Sequence, residues 1–216
     1  MRVAVVGGHG KVARALIPLL VERGDEVVPL VRKQEHADEL RSPGVEPRLL
    51  DIEAQDADAF AEAFAGTQAV VFAAGAGPDG RADRKRTVDL EGSLKSIEGA
   101  RRAGVQRFVQ VSAIGVDEPL PDDTGEVWKA YVEAKRDADA ALRASDLAWT
   151  IIRPGGLTDD DPVGTVLLSE SAPRAQVPRA DVAAVVAACL AEPASVGRQW
   201  ELVTGDVPVR EAVAAG

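Results

Sequence analysis

Short apolar runs alternate with segments of helical periodicity along the whole chain, and this alternation constrains the fold more than any other feature. The apolar runs at 3–6, 26–31 and 69–74 are separated by segments such as 12–23, where apolar residues recur at helical spacing up to Gly24. Strands that alternate with helices pair in parallel through right-handed crossovers. The sequence therefore predicts an α/β fold with a doubly wound, mainly parallel sheet.

The same patterns predict the remaining elements. Further strands are expected at 46–50, 105–111, 148–153 and 199–203, with a short one at 165–168. Further helices are expected at 54–65, 83–103, 126–144 and 181–192, the last capped by Asp181 and ended by Pro193. Pro18 is expected to kink the first helix without ending it.

At 216 residues the chain has the length of one domain, predicted to span residues 1–216. Three longer loops, at 75–81, 115–125 and 154–178, follow the carboxyl ends of predicted strands. Ligands bind at that edge of a parallel sheet, so we expect the loops at about 115–125 and 154–178 to cover a substrate.

Composition excludes several classes of protein. With 46% hydrophobic residues the chain is not disordered, and a net charge of −10 argues against a nucleic-acid partner. No apolar run reaches the ~20 residues of a membrane span, and the short N-terminal run does not fit a signal peptide, so we expect a cytoplasmic protein without a membrane partner. The oligomeric state is left open.

Metal and cysteine chemistry find little support in the sequence. The single cysteine, Cys189, is expected to be a buried thiol in an apolar run. His9 and His36 are too few and too far apart for a metal cluster, and the acidic loop residues, such as those at 159–161, are expected to face solvent. No metal is predicted.

A glycine-rich turn joins the first strand to the first helix. Residues 7–13 read Gly7-Gly8-His9-Gly10-Lys11-Val12-Ala13. Glycines let a pyrophosphate approach bare backbone, and the helix N-terminus adds free N–H groups and partial positive charge. The alternative is a plain connecting turn. The position directly after an N-terminal strand favours a dinucleotide.

The end of the second strand is basic. Sites that prefer NAD place an acidic residue there for the ribose 2′-hydroxyl, whereas here Arg32 and Lys33 follow the strand. A guanidinium fits a 2′-phosphate, so the sequence favours NADP over NAD. A solvated basic turn is the alternative.

Tyr131 and Lys135 lie four residues apart and therefore share one helix face. A lysine beside a phenol is expected to lower the pKa of Tyr131 and make it a proton donor to a carbonyl group. The alternative is an ordinary surface pair. Trp128, three residues earlier, either forms a wall of the substrate pocket or packs in the core.

At this point the chain resembles the short-chain dehydrogenase/reductase superfamily, and most closely its atypical branch of NmrA-like and flavin-reductase-like NAD(P)-binding proteins. The resemblance covers nearly the whole chain and implies a Rossmann-type three-layer α/β/α sandwich. The segments that carry it are 7–13, 70–75, 111–115, 131–135, 152–155 and 179–183.

The resemblance implies roles for individual residues. Gly7, Gly10, Lys11 and Val12 would face the pyrophosphate, and Arg32 the 2′-phosphate. The remaining cofactor residues would be Asp51 and Ile52 at the adenine, Ala73, Ala74 and Gly75 at the nicotinamide-side ribose, and Pro154 and Gly155 near the carboxamide. Lys135 would also hold the ribose. Active relatives carry a Ser-Ser pair after the fifth strand, whereas this chain has Ser112-Ala113, which puts catalysis in question.

Taken together, these patterns favour an NADP-dependent oxidoreductase of a small-molecule substrate. Hydride would pass between the nicotinamide and a carbonyl, quinone or flavin-like acceptor, with Tyr131, Lys135 and Ser112 as catalytic candidates. A non-catalytic NADP-binding sensor or regulatory protein is the alternative. Epimerase-type chemistry on a nucleotide-linked sugar is a third possibility, for which the chain is short.

Overall fold

The structure is a computed structural model that describes residues 1–77 and 80–216, so the predicted loop at 75–81 lies partly outside the described residues. The strands are β1 Arg2–Val6, β2 Glu26–Val31, β3 Arg48–Leu49, β4 Ala69–Phe72, β5 Arg107–Val111, β6 Ala148–Pro154, β7 Gly156–Thr158, β8 Thr165–Ser169, β9 Gln176–Pro178, β10 Arg198–Thr204 and β11 Val207–Pro208. The helices are α1 Lys11–Glu22, α2 Gln34–Leu40, α3 Ala57–Ala63, α4 Ala82–Arg84, α5 Glu91–Arg102, α6 Glu126–Arg143, α7 Arg179–Ala191 and α8 Val209–Ala215. A π-helical segment, Lys85–Leu90, joins α4 to α5, and a 3₁₀ turn, Pro193–Ser195, follows α7.

Nine of these strands form one sheet in the order β11-β8-β10-β6-β5-β4-β1-β2-β3, and β7 pairs with β9 in a second, two-stranded sheet. In this order the neighbouring strands from β10 through β6, β5, β4, β1 and β2 to β3 are parallel. Strand β8 pairs antiparallel with both β10 and β11. The strand order reverses between β1 and β4. The prediction of a Rossmann-type, doubly wound sheet is therefore confirmed.

Helices cover both faces of the sheet because side chains alternate along each strand. Val3 and Val5 of β1 belong to the core that packs against α1, α7 and α8. Ala4 and Val6 belong to the opposite core, with α3 and α5, where Phe60 and Phe64 are fully buried. These three layers fix the loops at the carboxyl ends of the strands.

Several local predictions differ from the structure. Helix α2 was not predicted, since it is polar and buries only Ala37. The prediction of an Asp181 cap is wrong, because α7 begins two residues earlier, at Arg179. Asp181 lies in the first turn and accepts hydrogen bonds from the backbone N–H groups of Val163 and Gly164, both at 2.9 Å. It therefore fixes the loop before β8. The single domain stays a prediction.

None of the helices among residues 1–77 and 80–216 is both long and apolar enough to cross a membrane. The thiol of Cys189 is buried, and burial raises its pKa to about 12. This thiol is therefore held protonated, as expected for a core cysteine.

Candidate functional site

A crevice opens where the strand order reverses, between the carboxyl ends of β1 and β4. A cavity of about 320 Å³ occupies it. The sequence-predicted residues in its wall are Gly7, His9, Gly10, Arg32, Lys33, Asp51, Ile52, Ala73, Ala74 and Gly75. A smaller cavity of about 250 Å³ lies at the amino ends of β1 and β2, beside Arg2 and Glu46, and includes none of these residues. The larger cavity therefore brings together most of the predicted cofactor residues, while Tyr131, Lys135 and Ser112 are not among the described residues of its wall.

Each of the three glycines of the first turn is glycine for a different physical reason. Gly7 has a φ of +79°, and a Cβ there would lie 2.7 Å from the Cα of Ala74. A Cβ on Gly8 would lie 2.5 Å from the Cβ of Pro29. Gly10 has an ordinary φ of −67°, and its nearest neighbour would be the Gly7 carbonyl oxygen at 3.1 Å. The fold requires Gly7 and Gly8, whereas the open side of Gly10 faces the cavity.

Helix α1 begins directly after this turn with a bare N-terminus. Gly10 is its N-cap, and no side chain accepts a hydrogen bond from the first turn. The first helical bond runs from the N–H of Arg14 to the Gly10 carbonyl, and within residues 1–77 and 80–216 the N–H groups of residues 11–13 have no acceptor and can meet an anion. The side chain of Val12 is buried in the core, so Val12 can contribute only its backbone N–H.

Lys11 connects this helix to the loop after β7. Its ammonium group pairs with Asp159, which also accepts from Arg179 at 2.7 Å. These cations hold the pKa of the exposed Asp159 carboxyl below its usual value. The predicted pyrophosphate ligand Lys11 thus lies beside the start of one predicted substrate-covering loop.

The far end of the cavity is basic, as the sequence indicates. The guanidinium of Arg32 is exposed and lies 3.8 Å from Glu53, while Lys33 pairs with Glu35 at 2.8 Å. Glu53 also accepts from Thr87 at 2.7 Å and from Arg84 at 3.2 Å, and its pKa is lowered, mainly by the Thr87 hydroxyl. Among the described residues Arg32 thus has one ion pair, a weak one at the surface, which a bound phosphate can replace.

Both histidines of the chain lie in the wall of the cavity, although only His9 was predicted there. Their rings are stacked with centroids 3.7 Å apart and planes within 1°. The Nε2 atom of His9 lies 2.9 Å from Glu39, which lowers the pKa of that carboxyl. The missed residue His36 places a second imidazole beside Arg32 and Lys33.

The loop that follows β3 carries the two residues predicted to flank the adenine, Asp51 and Ile52. Asp51 accepts from the backbone N–H of Glu53 at 3.0 Å and of Ala54 at 3.3 Å, so its carboxylate shapes the loop. Lys95 donates to the carbonyls of Ile52 and Gln55 from the other side. Ile52 is thereby held at the cavity wall.

Tyr131 and Lys135 lie on one face of α6, as predicted, but Lys135 has an acidic partner that the sequence did not reveal. Its Nζ atom lies 3.2 Å from Asp89 Oδ1, 3.3 Å from the Val111 carbonyl and 3.5 Å from the Ala74 carbonyl. The same Nζ is 6.0 Å from the centre of the Tyr131 ring. Asp89 is almost fully buried on the π-helical segment.

The predicted direction of the Tyr131 shift is wrong. Burial raises the pKa of Tyr131 above its ordinary value, and Asp89 and Asp139 add to that rise, while Lys135 alone lowers it. Burial would lower the pKa of Lys135, but Asp89, Tyr131 and Asp139 together raise it. A neutral phenol and a charged ammonium group therefore lie side by side.

Ser112 is placed differently from a substrate-binding serine. Its buried hydroxyl donates to Asp139 Oδ2 at 2.8 Å, and the same carboxylate accepts from Gln110 and Arg153. Burial raises the pKa of Asp139, although its three donors act in the opposite direction. Ala113 offers no hydroxyl, so the second serine of the resemblance has no substitute at its own position.

The two predicted covering loops are fastened to each other. Glu201 accepts from the backbone N–H of Gly115 at 3.0 Å and of Ala172 at 2.8 Å. Arg174 pairs with Glu118 at 2.7 Å. The loops at 115–125 and 154–178 therefore meet above the end of β10.

Pro154 is the last residue of β6, and Gly155 follows it at the start of the loop at 154–178. The Pro154 carbonyl accepts from the N–H of Ile114 at 3.0 Å. A Cβ on Gly155 would lie 2.1 Å from the Ala175 carbonyl oxygen, so close backbone packing explains this glycine. Neither residue lines the cavity, and their predicted contact with the carboxamide stays a prediction.

Trp128 lies beside Tyr131 at the surface. The two ring centroids are 5.2 Å apart, and Trp128 is 52% exposed. The alternative of a core tryptophan is therefore wrong, and an aromatic edge is available next to the phenol.

Comparisons with known proteins match this geometry. A family model described as NAD(P)H-binding matches residues 7–193. An uncharacterized sugar epimerase of Bacillus subtilis (strain 168), YhfK, is 36% identical over 99% of both chains. A solved Bacillus halodurans protein, which carries the name of an NAD-dependent epimerase/dehydratase, superimposes with a TM-score of 0.92 at 38% identity over 100% of both chains. The anaerobillin reductase ChuY of Escherichia coli O157:H7 superimposes with a TM-score of 0.79 at 25% identity, over 96% of this chain and 98% of that one.

Proposed function

The chain belongs to this NAD(P)H-binding family of atypical short-chain dehydrogenase/reductase proteins, and from that premise we propose that it is an NADP-dependent oxidoreductase. The observation that supports this proposal most is the open position of Gly10. Its backbone is ordinary and its neighbours leave room for a Cβ with only a small shift, yet it stands open at the N-terminus of α1. A pyrophosphate seated on that N-terminus gives a reason for the glycine that the fold does not supply.

The residues of the cavity fit a dinucleotide with a 2′-phosphate. The first-turn N–H groups of α1 and the Lys11 ammonium group would meet the pyrophosphate. Arg32 and Lys33 would meet the 2′-phosphate, with the imidazole of His36 nearby. Charge-assisted bonds to a phosphate are the strong kind, which supports NADP over NAD.

The chain's own residues provide the acid for a reduction. When bound, the reduced nicotinamide supplies the hydride. Tyr131 holds a proton on its hydroxyl, and that hydroxyl makes no hydrogen bond with residues 1–77 or 80–216. It can therefore protonate an acceptor oxygen as hydride arrives. A carbonyl, quinone or flavin-like acceptor fits, and the anaerobillin reductase among the structural neighbours supports reductive chemistry.

The covering loops would complete the pocket. Glu201 holds the two loops together, and Trp128 offers an exposed ring at the same end of α6. These features favour a small molecule with a planar part. One buried cysteine fits a reducing compartment, and we place the protein in the cytoplasm.

A non-catalytic NADP-binding sensor is the second candidate, favoured by one observation. The hydroxyl of Ser112 is engaged by Asp139, and Ala113 has none, so the substrate carbonyl would lack a serine donor. The free hydroxyl of Tyr131 argues for the enzyme. Epimerisation of a nucleotide-linked sugar is the third candidate function, because two relatives carry epimerase names. In that reaction the cofactor would be re-formed in each cycle.

Oxidation of NADPH with a panel of quinones, flavins and aldehydes tests the proposal. Turnover above the protein-free rate with at least one acceptor, and its loss in Gly10→Val, is the expected result. Tight NADPH binding without turnover on any acceptor would favour the sensor. Net conversion of a nucleotide sugar without consumption of NADPH would favour the epimerase.

A further inference from the structure

Asp89 is a buried carboxylate that the reaction described above does not use. It lies on the π-helical segment Lys85–Leu90, and π-helical turns occur often at functional sites. Its Oδ1 atom is 3.2 Å from Lys135 Nζ, and its Oδ2 atom accepts from the N–H of Ala76 at 3.0 Å. We propose that Asp89 is a positioning residue that neutralises Lys135 and thereby keeps Tyr131 a protonated acid.

The hydrogen bonds of Lys135 are all accounted for. An ammonium group has three N–H donors and no acceptor. Asp89 and the carbonyls of Val111 and Ala74 provide three acceptors at 3.2, 3.3 and 3.5 Å. In this arrangement Lys135 has no donor left for the oxygen of Tyr131. Its influence on the phenol is therefore limited to its charge.

The carboxylate of Asp89 opposes the positive charge of Lys135 at close range. Both Asp89 and Lys135 are nearly inaccessible to solvent, so their charges act on Tyr131 with little screening. Lys135 stabilises a phenolate, while Asp89 and, farther along α6, Asp139 destabilise it. Burial raises the pKa of Tyr131 above its ordinary value, and the two carboxylates add to that rise by opposing Lys135.

The consequence for catalysis, which rests on the proposed oxidoreductase function, concerns the form of Tyr131 that each direction of the reaction needs. In a reduction the acceptor carbon gains hydride with its electron pair, and its oxygen gains the proton of Tyr131, which solvent then replaces. The oxidation of an alcohol needs the phenolate as a base. Because the phenolate is disfavoured, the acid form needed for reduction is present at neutral pH, while the rate of alcohol oxidation would rise with pH as the phenolate forms.

Tyr131 is the only tyrosine of the chain, so the ultraviolet absorbance of phenolate reports this residue alone. Asp89→Asn keeps an oxygen for the N–H of Ala76 and removes the charge. We expect its phenolate to appear about one pH unit or more below that of the parent protein. Asp137→Asn removes an exposed carboxylate from the same helix and should titrate like the parent.

A double variant guards against a folding defect. It also tests directly whether the charges of Asp89 and Lys135 cancel in their effect on the pKa of Tyr131. Asp89→Asn with Lys135→Gln replaces the ion pair by two neutral amides, and Tyr131 should then titrate within about half a pH unit of the parent. An unchanged or upward titration in Asp89→Asn overturns the proposal, and so does a double variant that titrates well above the parent. Titration needs no substrate, so this outcome is independent of whether any acceptor turns over. Where one does, the pH profile of alcohol oxidation should move to lower pH in Asp89→Asn, together with the phenolate titration.

Discussion

Gly10→Val should abolish the binding of NADPH while the protein remains folded. A valine side chain at this turn would project into the cavity from the N-cap of α1, where the pyrophosphate is proposed to lie. Among the described residues the Cβ would lie 3.1 Å from the Gly7 carbonyl oxygen, a contact that a shift of a few tenths of an ångström relieves, and 3.9 Å from the Ala73 carbonyl oxygen, an ordinary contact. The loss should therefore fall on the ligand.

Gly125→Val is the matched control. Gly125 is the N-cap of α6 with φ −59° and ψ 143°, close to the −67° and 156° of Gly10, and a Cβ there meets nothing within 4 Å. Both variants replace a glycine cap by a poor one, at a cost of about 1 kcal/mol each. They differ in the space that the new side chain enters, which is the proposed pyrophosphate site only in Gly10→Val.

The expected shifts follow from linkage. At about 100 times its Kd a ligand adds about 2.7 kcal/mol, and about 1 kcal/mol moves the Tm of a chain of this size by about 2–4 °C. NADPH should therefore raise the Tm of the parent and of Gly125→Val by about 5–11 °C. A loss of about 100-fold in affinity leaves a stabilisation of only about 0.4 kcal/mol, or about 1 °C. Circular dichroism checks the fold. A Gly10→Val protein whose Tm still rises by the full amount with NADPH would refute the proposed pyrophosphate site at the N-terminus of α1.

Other changes should act as follows. Arg32→Ala should reduce the preference for NADPH over NADH at least tenfold, about 1.4 kcal/mol, in paired calorimetric titrations, and an unchanged preference would remove Arg32 from the 2′-phosphate site. Tyr131→Phe should lower kcat with a carbonyl acceptor by about 10²–10⁴-fold and leave the affinity for NADPH nearly unchanged, whereas a loss of only a few-fold would argue against its role as the acid. Ala113→Ser should raise kcat by restoring a hydroxyl beside the acceptor, and no gain would mean that the site does not use one. Glu201→Ala should release the two covering loops and raise KM without weakening cofactor binding, as steady-state kinetics can establish.

The sheet and its crevice could be predicted because they depend on local patterns. Strands buried on both faces are continuous apolar runs, as in Ala69–Phe72, and a glycine turn marks the join of β1 to α1. Helix α2 could not be predicted, since five of its seven residues are polar and tertiary packing of Ala37 holds it in place.

The buried acids of the site were missed because an acidic residue in a helix ordinarily faces solvent. Asp89 is buried by Lys135, which is far away in sequence, and the π-helical geometry that aims it has no clear sequence signal. Asp139 did leave a trace. Tyr131, Lys135 and Asp139 follow one another at intervals of four residues, so they share one face of α6.

The histidine pair shows the same limit at the cofactor end of the cavity. His9 belongs to the glycine motif and was predicted at the site, whereas His36 lies on the unpredicted helix α2. Their stacking depends on how α2 packs beside β2, which no local pattern specifies. Spacing along the chain therefore predicts partners within one element better than partners on two.

A single-turnover experiment tests the oxidoreductase most directly. The protein is saturated with NADPH, mixed with an excess of each acceptor from the panel, and followed by the near-ultraviolet absorbance of the reduced nicotinamide. We predict an exponential loss of one equivalent of NADPH per site with at least one acceptor, slower in Tyr131→Phe when that acceptor is a carbonyl. Saturated sites whose NADPH remains reduced with every acceptor would contradict the account.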